Sequence, residues 1–138
     1  MKDKYQKKVS KLEKKLDELW SVYIRTRDFW SCMRCHQSFR LESQKLQGAH
    51  IIRKGGSKFL RWHPNNGIAL CYSCHIGWQH LGGNEVEFVR LAERVLGRET
   101  IDELLELKKA HPTARFGLKD LELKASELAS LIKTVQDR

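Results

Sequence analysis

Two Cys-x-x-Cys pairs constrain the fold of this chain more than any other feature. The pairs are Cys32 with Cys35 and Cys71 with Cys74, and 35 residues separate them. Each pair predicts a tight turn, and four thiolates from two such turns supply the tetrahedral ligand set that Zn²⁺ prefers. The lysine-rich start lacks the apolar stretch of a signal peptide, so we expect a cytoplasmic protein. Without a secretory signal, the spacing favours a structural Zn²⁺ site over disulfides.

Positive charge is concentrated in the first half of the chain. Residues 1–62 contain 16 Lys and Arg against 6 Asp and Glu, a net charge of +10, whereas the whole chain carries +9. A basic half that includes the first cysteine pair suits a polyanion, so we expect a nucleic acid as the partner, bound mainly through its phosphates. The N-terminal lysines by themselves also fit a solvated surface. No apolar run is long enough to predict a membrane span.

Periodic apolar residues predict helices at both ends of the chain. A basic amphipathic helix is expected over residues 1–25, a zinc-bound core over 26–83 and a C-terminal helical extension over 84–138, all in a single folded unit of 138 residues. The apolar stripe of the last helix predicts packing within the chain or, alternatively, a homodimer through the terminal helices.

Inside the core, the local pattern predicts two strands followed by a helix. Residues 38–51 are expected to form a β-hairpin with its turn at 42–44, and residues 68–79 a helix that carries the second cysteine pair near its start. Thr100 and Glu103 fit a capping box that would start a later helix.

The order of His50, Asn66 and His75 between and beside the cysteine pairs resembles the HNH endonucleases, which share the ββα-metal fold. Within that superfamily the chain is most similar to phage recombination proteins of the NinG type. The closer resemblance is carried by the strings at residues 23–28, 48–53 and 61–66 and by Gly83, Asn84 and Phe88. It implies an α+β fold with a small zinc-stabilised ββα-metal (HNH) core flanked by N-terminal and C-terminal helices.

The resemblance also implies a function: a metal-dependent HNH endonuclease that hydrolyses DNA phosphodiester bonds in phage or prophage recombination, with branched DNA as one candidate substrate. It implies DNA as the partner and the cytoplasm of a bacterial host cell as the location. His50 would be the general base, and Asn66 would orient its surroundings. His75 would be a ligand of a catalytic Mg²⁺ or Mn²⁺. Arg53 and Arg61 lie close in sequence and would contact substrate phosphates, unless they are ordinary surface arginines.

One position departs from many HNH nucleases, which carry a metal-ligating Asp or His directly before the general base. That position is Ala49 in this chain, and NinG-type sequences commonly have Gly there. His80 is a candidate second ligand beside His75, although a five-residue step on a helix lies about 140° around the axis. The alternative function is a catalytically degenerate zinc-stabilised DNA-binding or adaptor module, and a third is a protein-interaction module acting through the terminal helices.

The aromatic residues have a simpler interpretation. Four tryptophans are expected to pack a small core around the zinc unit: Trp20, Trp30, Trp62 and Trp78. Stacking of Trp62 on a base or sugar is the alternative interpretation, and packing in the core is favoured over it.

Overall fold

The computed structural model describes residues 3–76 and 85–138, and its fold is α+β. The elements in chain order are α1 (Lys4–Arg27), β1 (Leu46–His50), β2 (Gly67–Cys71), α2 (Glu85–Leu96), α3 (Arg98–Ala110) and α4 (Leu118–Gln136). The backbone becomes helical directly after β2 and is described as far as residue 76. No helix in the two described ranges has the length and apolar character that crossing a membrane requires.

Helix α1 forms one side of the molecule. It begins where the side chain of Asp3 accepts a hydrogen bond from the Gln6 amide at 2.8 Å, which satisfies one of the free amides of the first turn. Leu16 and Trp20 are fully buried on its apolar side, as the amphipathic pattern predicts. The helix predicted at the N-terminus is therefore present, and it ends at Arg27 rather than at residue 25.

Helix α4 packs along α1 in the same direction. Near the start of both helices the Leu118 amide donates to the Tyr5 hydroxyl, and near their ends Arg138 donates to the Thr26 carbonyl at 2.9 Å. Between these contacts Leu121 is fully buried in the common core. The apolar stripe of the last helix is thus used within the chain.

The sheet consists of β1 and β2, which pair antiparallel with Leu46 opposite Cys71 and His50 opposite Gly67. All five residues of β2 are buried, because the strand lies between α1 and the segments around the cysteines. The strand ends at Cys71, so it places the second cysteine pair at the end of a buried strand.

Two predictions about these elements are wrong. Residues 38–51 do not form a hairpin, because the segment 38–41 makes only an isolated bridge, between Ser31 and Ser38. Residues 68–71 are a strand rather than the start of a helix, since a fully buried strand is a continuous apolar run with no period that tells it from a helix.

The start of α3 also differs from the predicted one. Gly97 is its N-cap, with a φ of 91° that favours glycine, and the helix begins at Arg98. Thr100 consequently lies inside the first turn and caps nothing. The capping-box prediction is wrong, because Gly97, three residues before Thr100, is already the N-cap of the helix.

An ion pair at the end of α1 ties that helix to β2. The carboxylate of Asp28 accepts two hydrogen bonds from Arg27, at 2.9 and 3.0 Å, and a third from the Ala69 amide at 2.8 Å. Arg27 also donates to the Gly67 carbonyl at 2.7 Å. The buried carboxylate is thereby fully engaged, as a buried charge must be.

The predicted role of the tryptophans is confirmed for three of them. Trp20, Trp30 and Trp62 are all buried, with at most 7% of their surface exposed, and none is presented for base stacking. Trp78 lies outside the described residues.

Candidate metal centre and histidine site

The four cysteines come together as the sequence predicts. Their sulfur atoms all lie within 4.8 Å of one another, and the Sγ atoms of Cys35 and Cys71 are 3.8 Å apart. A tetrahedral Zn²⁺ site with Zn–S bonds of about 2.3 Å has S···S edges of about 3.8 Å. The four cysteines, Cys32, Cys35, Cys71 and Cys74, therefore lie close enough together to hold a zinc ion.

Backbone hydrogen bonds shape the first cysteine turn. The Cys32 amide donates to the Gln37 carbonyl at 2.9 Å, and the His36 amide donates to the Cys32 carbonyl at 2.9 Å. The Met33 amide donates to the Ala69 carbonyl of β2 at 2.9 Å, which fixes this turn against the strand that leads to the second pair. The two halves of the cluster are thus aligned by the backbone.

The protonation of the thiols fits a cation site. Burial opposes ionisation of Cys32, but backbone amides that donate to its sulfur lower its pKa to about 7. Burial raises the pKa of Cys71, and it raises that of Cys74 to about 12, to which the charge of Cys32 also contributes. These thiols keep their protons unless a cation compensates the charge, so a divalent metal would displace them on binding.

His50 is held rigidly at the end of β1. Its ring stacks on Trp20 with a centroid distance of 3.9 Å, and Nε2 lies 2.9 Å from the Arg61 carbonyl oxygen. A carbonyl oxygen only accepts, so Nε2 carries the hydrogen and the lone pair of the neutral ring is on Nδ1. Burial lowers the pKa of His50, although the bond to Arg61 and the charge of Asp17 oppose this effect. The imidazole is therefore neutral at pH 7.

Asn66 is fully buried and uses its whole amide on the backbone. Nδ2 donates to the carbonyls of Ile52 and Leu60, both at 2.9 Å, and Oδ1 accepts from the Ile52 amide at 2.8 Å. These bonds join the residues that follow β1 to those that precede β2. Asn66 thus fixes the loop that carries the Arg61 carbonyl.

Asp17 is part of the site, and sequence reasoning missed it. Its carboxylate accepts from Arg61 Nε at 3.0 Å and Nη2 at 2.7 Å, and from the Trp62 indole at 2.8 Å. Burial tends to raise the pKa of Asp17, but the hydrogen bonds from Arg61 and Trp62 outweigh it and lower the pKa. The one signal in the sequence is a carboxylate three residues before Trp20, on the flank of the apolar stripe.

The two arginines predicted to contact substrate have different surroundings. Arg61 already binds Asp17 through two nitrogen atoms and lies 3.6 Å from Glu13. Arg53 is 78% exposed and lies 3.5 Å from Glu85, which is 80% exposed. Such an exposed ion pair contributes little to stability. Of the two arginines, Arg53 is therefore the one whose guanidinium could more easily leave its partner for a phosphate.

His75 lies in the helical segment after β2. Its Nδ1 is 2.6 Å from Oε1 of Gln47. An amide oxygen accepts, so Nδ1 carries the hydrogen and Nε2 the lone pair, which is the arrangement that metal-ligating histidines usually have. Gln47 and His50 are three positions apart on β1, so the contacts described for the two histidines lie on opposite faces of that strand.

A second group of metal ligands is not found in residues 3–76 and 85–138, where the four cysteines form the one such cluster. Ala49 is fully buried and offers no ligand. His80, the predicted partner of His75, lies outside the described residues. The described residues therefore contain no group of three or more ligands for a catalytic Mg²⁺ or Mn²⁺, and His75 as a ligand stays a prediction.

The fold and the cysteine cluster define a small α+β protein with a candidate zinc centre. Residues 1–137 match the family model described as Bacteriophage Lambda NinG protein, and the chain therefore belongs to the NinG family. Searches of curated proteins and of solved structures gave no match. The resemblance to NinG-type proteins is confirmed, and membership of the wider HNH superfamily stays a prediction.

Proposed function

We propose that this NinG-family chain is a metal-dependent HNH-type endonuclease that hydrolyses DNA phosphodiester bonds. Membership of a phage family suggests a role related to phage recombination. The observation that carries the nuclease proposal is the 2.9 Å hydrogen bond from His50 Nε2 to the Arg61 carbonyl. It fixes the tautomer in which Nδ1 can accept a proton.

In the proposed reaction His50 is the general base. Its Nδ1 takes a proton from a water molecule while the water oxygen bonds to phosphorus and the P–O3′ bond breaks. The 3′ oxygen takes up a proton from solvent, so the products are a 3′ hydroxyl and a 5′ phosphate. A buried imidazole with a lowered pKa is already unprotonated at neutral pH, which suits it to this step.

Asn66 is a positioning residue in this proposal. It does not touch the reacting atoms, because all its polar atoms bind backbone groups of Ile52 and Leu60. By fixing that loop it keeps the Arg61 carbonyl opposite His50. Asp17 acts on the same loop through the guanidinium of Arg61.

The divalent ion of this reaction is the part that the described residues support least. When bound, Mg²⁺ or Mn²⁺ would neutralise charge on the departing oxygen. His75 offers Nε2 as one ligand, with Nδ1 held by Gln47. Dependence on such an ion stays a prediction, as does the assignment of His80.

The cysteine site has a structural role in this proposal. Four protein ligands close a tetrahedral Zn²⁺ site and leave no position for substrate. The cluster joins the turn after α1 to the end of β2, so a bound zinc would hold the strand that precedes His75. We infer that zinc stabilises the core and takes no part in cleavage.

DNA cleavage tests the proposal directly. Supercoiled plasmid and a synthetic four-way junction are incubated with the wild-type protein in the presence of Mg²⁺, of Mn²⁺ and of neither ion. We expect nicking that depends on the ion and that falls about 10²- to 10⁴-fold in His50→Ala, the usual contribution of a general base. His111→Ala is the control for loss of an imidazole, since the described ring contact of His111 is with Phe59.

The second candidate function is a zinc-stabilised DNA-binding or adaptor module without catalysis. Buried Ala49 favours it, because the residue beside the candidate base offers the ion no ligand. Wild-type protein that binds DNA but never nicks it with either ion would establish this alternative and refute the nuclease. Equal nicking by wild type and His50→Ala would refute the role of His50.

A further inference from the structure

We propose that a cationic groove between the first cysteine turn and α2 binds the phosphate backbone of a DNA strand. The inference rests on the proposed DNA substrate and adds a binding site away from His50. The groove is an open cleft of about 480 Å³. That volume lies within the range of ligand sites and can take in a segment of nucleic-acid strand.

Helix α2 supplies one wall of the groove. Arg90 and Arg94 stand one turn apart on the same side of the helix, and both are exposed. Neither forms an ion pair with any carboxylate in the part of the chain that the structure describes. Like charges four residues apart on a helix repel each other, and a bound phosphate would offset that repulsion.

The first cysteine turn supplies the other wall. Arg34 lies there, and its Nη1 is 3.5 Å from the Sγ of Cys74. His36 follows the turn with a φ of 65°, a conformation that costs a residue other than glycine free energy. An imidazole is thus kept at a position where glycine would be less strained, and it lines the same groove as Arg90 and Arg94.

The remaining surface of the groove suits a strand rather than an isolated ion. Its apolar lining comes from Met33, Leu91 and Val95, and among the described lining residues Glu87 carries the one carboxylate. Guanidinium groups above an apolar floor contact phosphates and the adjoining sugar or base together. Because Arg34 contacts Cys74, the groove opens next to the segment that carries His75.

Binding of a labelled DNA duplex, measured by fluorescence anisotropy in a His50→Ala background, tests the groove without interference from cleavage. Arg90→Gln/Arg94→Gln is compared with Arg98→Gln/Arg115→Gln, which removes the same charge from exposed arginines outside the groove. Two lost phosphate contacts should lower the slope of log K against log salt by about 1.8 and weaken binding roughly 50-fold at about 0.1 M salt.

The outcomes separate this inference from the nuclease proposal. If the groove variant keeps the affinity and salt slope of the control variant, the groove is not the binding site, while cleavage by the wild type can still establish the enzyme. If the groove variant alone loses affinity and the wild type never nicks DNA, the groove stands and the nuclease fails. If the parent protein binds no DNA, both are overturned. Circular dichroism and zinc content of each variant confirm that it is folded.

Discussion

His50 lies flat against Trp20, with ring centroids 3.9 Å apart and ring planes inclined by 8°. Trp20 itself is fixed by a hydrogen bond from its indole to the His63 carbonyl at 2.8 Å. It also fits a recess made by one glycine on each strand, Gly48 and Gly67, whose added Cβ atoms would lie 3.0 and 2.5 Å from the indole. The stack thus depends on both strands having no side chain at these positions.

Gly67→Ala should therefore destabilise the protein and disturb His50. The new methyl group would meet the indole at 2.5 Å and the Ala49 carbonyl oxygen at 3.0 Å. Overpacking of this kind typically costs about 1–3 kcal/mol. Urea unfolding measures the loss, and Gly55→Ala, where no atom lies within 4 Å, should change stability by less than about 0.5 kcal/mol. Equal stability of the two variants would contradict the tight fit around Trp20.

The pH dependence of DNA nicking should report the environment of His50. A general base works only when unprotonated, so the rate is lost as pH falls through its pKa. Since burial lowers that pKa, the midpoint should lie below the ordinary 6.5. Trp20→Leu opens the ring to solvent and should move the midpoint up toward 6.5. A wild-type midpoint above 6.5 would argue against His50 as the buried base.

Asn66→Ala should be one of the most destabilising single changes in the loop. It removes three hydrogen bonds and leaves the buried Leu60 carbonyl and the part-buried amide and carbonyl of Ile52 without these partners. At about 1–3 kcal/mol for each unsatisfied group, a loss of at least about 3 kcal/mol is expected in thermal or urea unfolding. The matched control is Asn65→Ala, because the described bond of Asn65 uses its backbone amide. A small effect at Asn66 would show that the loop is held by other contacts.

The sequence was informative where the chemistry is local. The cysteine cluster follows from spacing alone, because two x-x turns and four thiolates meet the geometric demands of one ion. The helices α1 and α4 follow from an apolar stripe with a period that only a helix satisfies. In each case the signal comes from short-range spacing, within each cysteine pair or along one helix.

Pairing over long separations could not be predicted in the same way. The strand β2 is apolar at every position, so it has no alternation, and its pairing with β1 depends on contacts with α1. The partnership of Asp17 with Arg61 spans 44 positions and has no local signature. The loop around His50 was therefore recognised by resemblance, while the residues that hold it in place required the structure.

Asp17 should make stability depend on pH in a defined direction. Its pKa is lowered in the folded state below the ordinary 3.8, so the folded protein favours the ionised form. The resulting stabilisation is present above pH 3.8 and is lost as pH falls through the folded-state pKa. Asp17→Asn should thus lower the free energy of unfolding more at pH 6 than at pH 3 in urea titrations. An equal loss at both pH values would mean that packing, and not charge, accounts for the contribution of Asp17.

Metal content should decide the role of the cysteines. Purified protein is expected to contain about one zinc per chain, and Cys71→Ser should lose the metal together with the cooperative unfolding of the core. Ser73→Ala, an exposed change between the same two cysteines, should retain both. Because burial raises the pKa of Cys71 and Cys74, adding zinc to the metal-free protein at neutral pH should also release protons, which calorimetry in buffers of different ionisation enthalpy detects. Zinc-free protein that unfolds cooperatively, or Cys71→Ser with unchanged stability, would show that the core does not depend on a zinc site at these cysteines.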